Sequence, residues 1–448
     1  MPASIKRVAA LLLLAFLLLA GALGYWVANG PALIAREDNP RRILAEQRIR
    51  RGSILDRNGE VIVETTGESG AYQRRNRYPY AAPFTGYYSI NYGRSGVEEA
   101  LDAVLRGTAG SDPARAQVDD LLHINPVGRA VQLTIDLEAQ RAADELLDQH
   151  TGAIVILSVP DGEILALSSH PTFDPNLLDE NWDALRGDPA APLLNRATQG
   201  AYQPGTALQP ILLAEALSQG AVALDAASEF PVNPFPVDAH SLECRTTSDV
   251  VTLADAFRAG CPTPFADLGL TLGSDVLWQM VATWGLTDTN VIGIQSTAAL
   301  TQALPLNTTE ALRAFAAGQG SVTVTPLKMA AVAATLAAHG VMPAPRLVSS
   351  TQSATGAWRA FDQPVAGYVA SPQAIGDVVA AMPHRADTVW HAGMGLSGPT
   401  TLLWFIGFTP VDNPRYATAI LIEREQGAPG SDREAISIGE RLLANLPH

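Results

Sequence analysis

From Val8 to Ala28 the chain carries an unbroken run of uncharged, mostly apolar residues, with Lys6 and Arg7 immediately before it. Hydrocarbon offers no water to a backbone, so a run of this length has one stable form there: a helix about 30 Å long that reaches across a bilayer core. The two cations in front orient that helix with its start in the cytoplasm, and Tyr25 and Trp26 suit the far interface. A cleavable signal peptide is the competing reading, because Ala20-Gly21-Ala22 offers small residues after an apolar segment. An uncleaved anchor is the expectation, since the apolar character continues through Tyr25, Trp26 and Val27. Both readings export everything beyond about residue 30. The expected location is the cytoplasmic (inner) membrane, crossed once, with the bulk of the chain extracytoplasmic.

The 448 residues exceed one average domain and predict one large domain with a smaller one. A formal net charge of -15 and a pI near 4.9 exclude sequence-independent binding to nucleic acid, which needs a basic footprint. Only Cys244 and Cys261 occur, so a thiolate metal centre is excluded on count. In an exported chain they form a disulfide or remain two buried thiols. No metal and no cofactor is expected.

The segment from Asn39 to Asp119 is polar and turn-rich. Asp56-Arg57-Asn58-Gly59, flanked by Ile54-Leu55 and Val61-Ile62-Val63, predicts a hairpin. Ser95 is positioned to cap a short helix over 96–101 with Glu98 at the capping-box position, and Gly107 to Arg115 reads as a loop. From about Val131 a short strand, Leu133 to Asp136, leads into a helix from Leu137 to Leu147 capped by Asp136. Apolar runs from Gly152 to Leu157 and Glu163 to Leu167 flank Pro160-Asp161-Gly162 and predict two paired buried strands. Helices are expected near Leu253 to Gly260, Pro264 to Leu272, Asp275 to Trp284 and Pro326 to His339. Strands at Thr401 to Phe408 and Tyr416 to Ile422 precede a last helix from Asp432 to Leu443. Strands at both ends of a helical middle suggest an α+β or three-layer domain closed by its C-terminal strands.

Arg51-Gly52-Ser53-Ile54-Leu55-Asp56-Arg57-Asn58-Gly59 and Ser95-Gly96-Val97-Glu98 resemble the pedestal of class B penicillin-binding proteins, the anchored bacterial transpeptidases of the cell wall. Leu133-Thr134-Ile135-Asp136, Ala153-Ile154-Val155-Ile156, Pro171-Thr172-Phe173-Asp174-Pro175-Asn176 and Asn195-Arg196-Ala197 resemble the front half of their catalytic domain. Gly318-Gln319-Gly320, Thr325-Pro326-Leu327 and Trp404-Phe405-Ile406-Gly407-Phe408 resemble its back half. The resemblance runs from about residue 45 to the C-terminus. It implies an α+β penicillin-binding/β-lactamase-like domain, with a five-stranded antiparallel sheet and a helical subdomain, at 131–448. It also implies an extended pedestal at 31–130, behind a start and anchor at 1–30.

The active family uses Ser-x-x-Lys, a Ser-x-Asn-type triplet and Lys-Thr-Gly. Serine needs a base, and a lysine one helical turn on lies on the same face. In Tyr202-Gln203-Pro204-Gly205-Thr206-Ala207-Leu208-Gln209-Pro210 those places hold Thr206 and Gln209. Thr206 keeps a hydroxyl but gains a rotamer-restricting methyl. Gln209 can hydrogen-bond Thr206 but cannot serve as a base. The second element aligns with Gly260-Cys261-Pro262, which lacks both the hydroxyl and the amide; Thr263 is a displaced candidate. The third lies in Gly393 to Thr400, best matched with Leu396 at the lysine and Ser397 and Gly398 retained; a second register puts Met394 there. Ser397, Gly398 and Thr400 then remain as weak contacts for a substrate carboxylate. His391 is a candidate replacement base, although a lone histidine is more often structural. Losing a general base costs about 10²- to 10⁴-fold, and dismantling a nucleophile-base unit costs on the order of 10⁶.

The expectation is a pseudo-transpeptidase: an anchored scaffold or regulator of wall synthesis or division. The resemblance implies the division or wall-synthesis machinery, including a polytopic glycan polymerase, as partner and a peptidoglycan stem peptide as ligand. The alternatives are a divergent enzyme acylated at Thr206 and a non-covalent receptor for muropeptides or β-lactams in the retained cleft, weakened by the missing lysine.

Overall fold

The computed structural model describes residues 3–34, 43–44, 46–110, 112, 118, 122, 124–227, 232–287, 306–361, 367–426 and 433–446. Ala3–Ile34 is one helix. Its Ile5–Gly30 portion is long and apolar enough to cross a membrane, and Leu11, Phe16, Leu17, Tyr25 and Trp26 stand exposed along it. Water penalises such a surface and hydrocarbon does not, so the helix fits a single-pass anchor.

The predicted hairpin forms. Asp56 Oδ1 accepts the N–H groups of Asn58 (2.8 Å) and Glu60 (2.7 Å), closing the turn between the strands Ile54–Leu55 and Val61–Thr66. Gln73–Asn76 adds outside Val61–Thr66. On its other side Ile54–Leu55 pairs in parallel with Val131–Leu133, followed by Val348–Gln352 and Trp358–Ala360. One six-stranded sheet therefore runs from the pedestal into chain that follows residue 130. Asn176 strengthens the junction by accepting the Asn76 N–H and donating to the Asn76 carbonyl, both at 2.9 Å.

Ser95 is the N-cap of the Gly96–Ala100 helix, yet the expected capping box is absent. Its hydroxyl oxygen accepts from the Tyr87 N–H instead (3.1 Å). Glu98 is buried between Arg51 (2.7 Å) and Arg74 (2.6 Å), and Arg51 also reaches Asp102 at 2.5 Å. A carboxylate facing two guanidinium groups does not leave them for one backbone N–H. Burial opposes ionisation of Glu98, but Arg74 and Arg51 outweigh it and hold its pKa below the ordinary value. Of the expected loop, 107–110 and 112 are described and the rest lies outside the described residues.

The second sheet has six antiparallel strands where five were implied, ordered His384–Arg385, Thr388–Ser397, Thr400–Thr409, Tyr416–Glu425, Thr151–Ser158 and Ile164–His170. The extra member is the two-residue edge strand. Period-two alternation makes three layers. Ile154, Ile156, Phe405 and Ile420 face the helices Leu137–Leu147 and Glu434–Asn445. Val155, Leu157, Trp404 and Ile406 belong to the large core that includes the wholly buried helix Pro326–Ala337. Asp136 caps Leu137–Leu147 as predicted, accepting from Glu138 and Ala139. The expected helices at 264–272 and 275–284 fall on Pro262–Thr283, which is interrupted at Gly273 and ends one residue before Trp284. Asp432, the expected start of the last helix, lies outside the described residues.

Candidate functional site

Thr206 sits where a turn meets a sheet. Tyr202 exchanges two backbone hydrogen bonds with Val324 (3.0 and 2.8 Å), and the Trp404 indole N–H donates to the Gln203 carbonyl (3.0 Å). After Pro204, Gly205 takes φ +53° against the Thr388–Ser397 strand, where a Cβ would lie 1.9 Å from the Met394 carbonyl oxygen. Only glycine allows that approach. Gly205–Leu208 makes a 3₁₀ turn that runs into the helix Gln209–Ser218. Thr206 and Gln209 are thereby fixed one turn apart, 3 % and 1 % exposed.

No hydrogen bond joins their side chains. Thr206 Oγ1 accepts the Met394 N–H at 3.0 Å. The Gln209 amide nitrogen donates to the Cys261 carbonyl at 2.9 Å, and its Oε1 has no partner. The expected Gln209–Thr206 hydrogen bond is therefore replaced by one to the second element, whose carbonyl needs a donor and finds it in the amide.

Cys261, whose carbonyl receives that amide, forms a disulfide with Cys244. Gly260 ends the helix Leu253–Ala259 in the left-handed region (φ +65°), and Pro262 begins the helix Pro262–Thr283, a position that suits proline. The Thr263 hydroxyl donates to the Asn233 carbonyl (2.6 Å), which occupies it away from Thr206.

The third element lies differently from the expected register. Thr206 meets the strand at His391 and Met394, not at Leu396. Leu396 packs with Phe235, Leu242, Ala266 and Ala317. Ser397 and Thr400 pair across the reversal to the next strand, with Gly398 at φ +55° in the turn and Ser397 exposed. Close contact with the Thr206 turn falls at Gly393, where a Cβ would stand 2.1 Å from the Ala207 nitrogen. The triplet presented to Thr206 is thus His391-Ala392-Gly393.

His391 is fully buried and stacked on Phe257, with ring centroids 4.6 Å apart. Its Nε2 lies 3.0 Å from the Thr206 carbonyl oxygen. A carbonyl only accepts, so Nε2 carries the proton and Nδ1, which has no partner, holds the lone pair. Burial, reinforced by the nearby Arg245 charge and opposed by the bond to Thr206, pushes the imidazole pKa down to about 3. The ring is neutral at physiological pH, and its Nε2 already donates; it is not placed to take a proton from the Thr206 hydroxyl.

Arg245 is the site residue that the sequence reading missed. Its Nη1 donates to the Ala392 carbonyl (2.6 Å) and its Nη2 to the Arg258 carbonyl, and its guanidinium lies 3.5 Å from where a Cβ on Gly260 would be. The signal was present: a disulfide from Cys244 to Cys261 brings the neighbour of Cys244 beside Gly260. Among the described residues no three His, Cys, Asp or Glu side chains converge as a metal site.

Residues 152–443 match the penicillin binding protein transpeptidase domain, and residues 51–131 match the penicillin binding protein A dimerisation domain. The chain is 32% identical over 464 residues to the peptidoglycan D,D-transpeptidase PbpA of Mycolicibacterium smegmatis, covering 94% of each protein. It is 31% identical to the PbpA of Mycobacterium tuberculosis, covering 97% of this chain and 95% of the relative. Among solved structures, the imipenem acyl-enzyme complex of penicillin-binding protein A from M. tuberculosis matches with a TM-score of 0.76 and 29% identity, over 90% of this chain and 99% of that one.

Proposed function

The chain belongs to the class B penicillin-binding proteins, a membrane-associated family of peptidoglycan synthesis, and from that premise we propose that it is a member without acyl-transfer chemistry. The observation that carries this reading is the surroundings of the Thr206 hydroxyl. Its oxygen accepts a backbone N–H, while the two side chains nearest in role are committed elsewhere: Gln209 to Cys261 and His391 to the Thr206 carbonyl. In an acyl transferase the hydroxyl must lose its proton as it attacks. A neutral carboxamide and an imidazole whose proton sits on the donating nitrogen do not remove it. His391-Ala392-Gly393 takes the place of Lys-Thr-Gly in this reading, and the fixed cation of that triplet becomes an uncharged ring.

The protein then acts by binding. Anchored with its start in the cytoplasm and its bulk outside, it serves as a scaffold or regulator in wall synthesis or division, with a polytopic glycan polymerase contacting anchor and pedestal. Incubation of the full chain with a fluorescent penicillin, followed by peptide mapping, tests the chemistry. No adduct on Thr206 is expected, and a Thr206 adduct that disappears in Thr206→Ala refutes the reading.

A second reading, a divergent D,D-transpeptidase acylated at Thr206, is favoured by the active names of relatives that align end to end. It requires hydrolysis or transfer of a D-Ala-D-Ala peptide above the buffer rate, abolished by Thr206→Val.

A further inference from the structure

We infer that Arg245 forms an anion subsite that takes the terminal carboxylate of a peptide, the D-alanyl end of a peptidoglycan stem peptide, held without acyl transfer. The inference rests on the reading of a silent Thr206 and adds the ligand to it.

Arg245 stands where the dismantled elements converge. The Cys244–Cys261 bridge ties it to the second element and the Ala392 carbonyl ties it to the third. Its charge acts on His391, whose ring holds the Thr206 carbonyl. Two backbone carbonyls fix the guanidinium but do not neutralise it. The chain has 45 acidic residues against 30 basic ones, yet among the described residues no carboxylate forms an ion pair with Arg245. Arg433 adds a second positive charge near it.

Arg245 is an exposed residue whose guanidinium is partly buried and oriented by two acceptors; with no counter-ion among the described residues, it retains N–H groups for another oxygen ligand. A carboxylate matches that planar donor set and gives a charge-assisted contact. Gly260 makes the arrangement compatible with the loop: a side chain there would begin in van der Waals contact with the guanidinium, and a longer one would press on it. Gln209 and the neutral His391 supply no cation, and the guanidinium held against that segment is Arg245, docked on Ala392 next to His391.

Titration calorimetry on the full chain in detergent, at low salt, tests this with diacetyl-L-Lys-D-Ala-D-Ala, its C-terminal amide and the L-Ala-L-Ala acid. The D,D acid is expected to bind, with the amide weaker by about tenfold or more. R245Q should lose that preference and R245K keep part of it, with melting temperatures confirming that both variants fold. Equal affinity for acid and amide overturns the subsite. So does unchanged or tighter binding by R245Q, which would make Arg245 a plug on the strand edge, and so does no heat from the parent at about 1 mM peptide. Equal binding of the L,L acid overturns the assignment to a stem peptide. Intact mass is recorded on the same samples: an adduct on Thr206 refutes the silent-site reading, while the acid-amide difference in R245Q still decides the role of Arg245.

Discussion

Replacing Thr206 with valine keeps the shape of the side chain and removes one oxygen. In the structure that oxygen accepts the Met394 N–H at 3.0 Å, at a residue 3 % exposed. Valine offers no acceptor, so the Met394 N–H loses its partner in the junction between turn and strand. An unsatisfied buried donor costs about 1–3 kcal/mol. We expect Thr206→Val to lose about 2 kcal/mol and to lower the melting temperature by a few degrees. Thr206→Ser keeps the oxygen, sheds one methyl group and should lose about 1 kcal/mol or less. The assay is thermal and urea unfolding of parent and both variants under one set of conditions. The order matters more than the values, because a working active site trades stability for function and removing its nucleophile is often stabilising. A Thr206→Val protein as stable as its parent, or more so, would refute the argument that this hydroxyl is a structural acceptor.

Gly393→Ala places a Cβ 2.1 Å from the Ala207 backbone nitrogen, which no side-chain movement relieves; loss of soluble protein or a destabilisation above about 3 kcal/mol is expected on expression and melting. Glu98→Gln leaves Arg51 and Arg74 buried without their shared carboxylate and should cost about 3 kcal/mol or more, read as a lower urea midpoint. Because the folded pKa of Glu98 lies below the ordinary 4.5, its contribution is complete above that value and falls away as pH drops through the folded pKa, so the gap between parent and Glu98→Gln should narrow in acid. His391, with a pKa pushed from 6.5 to about 3, should show no imidazole titration between pH 5 and 8 by NMR; its contribution to stability is complete above 6.5 and is lost as pH falls toward 3. A His391 ring that titrates near 6.5 would contradict its burial against Phe257.

Local chemistry made much of this molecule legible. The Asp56 to Gly59 turn, the Asp136 cap and the apolar runs at 152–157 and 401–408 each carry their structure in adjacent residues, and the structure places strands and helices there. Partners distant in sequence defeated the local rules. Glu98 sits correctly for a capping box but answers to Arg51 and Arg74, neither within twenty residues of it. The third element failed for a different reason. Matching by residue type selected the Ser-Gly pair at 397–398, because the docking segment His391-Ala392-Gly393 keeps only the final glycine of the expected motif. What distinguishes the docking segment is close backbone approach, marked by Gly393 facing Ala207 and Gly205 facing Met394. Arg245 belongs to no motif at all; in the sequence only its place beside Cys244 pointed to the site.

Whether the Thr206 oxygen can be acylated decides between the two functional readings. Parent, Thr206→Ser and the double variant Thr206→Ser/Gln209→Lys, each as the full chain, should be incubated with a penicillin and their intact masses followed over hours. No mass shift is expected for the parent or for Thr206→Ser, since neither has a base at the hydroxyl. A stoichiometric shift in the parent, mapped to Thr206, would contradict the silent-site reading.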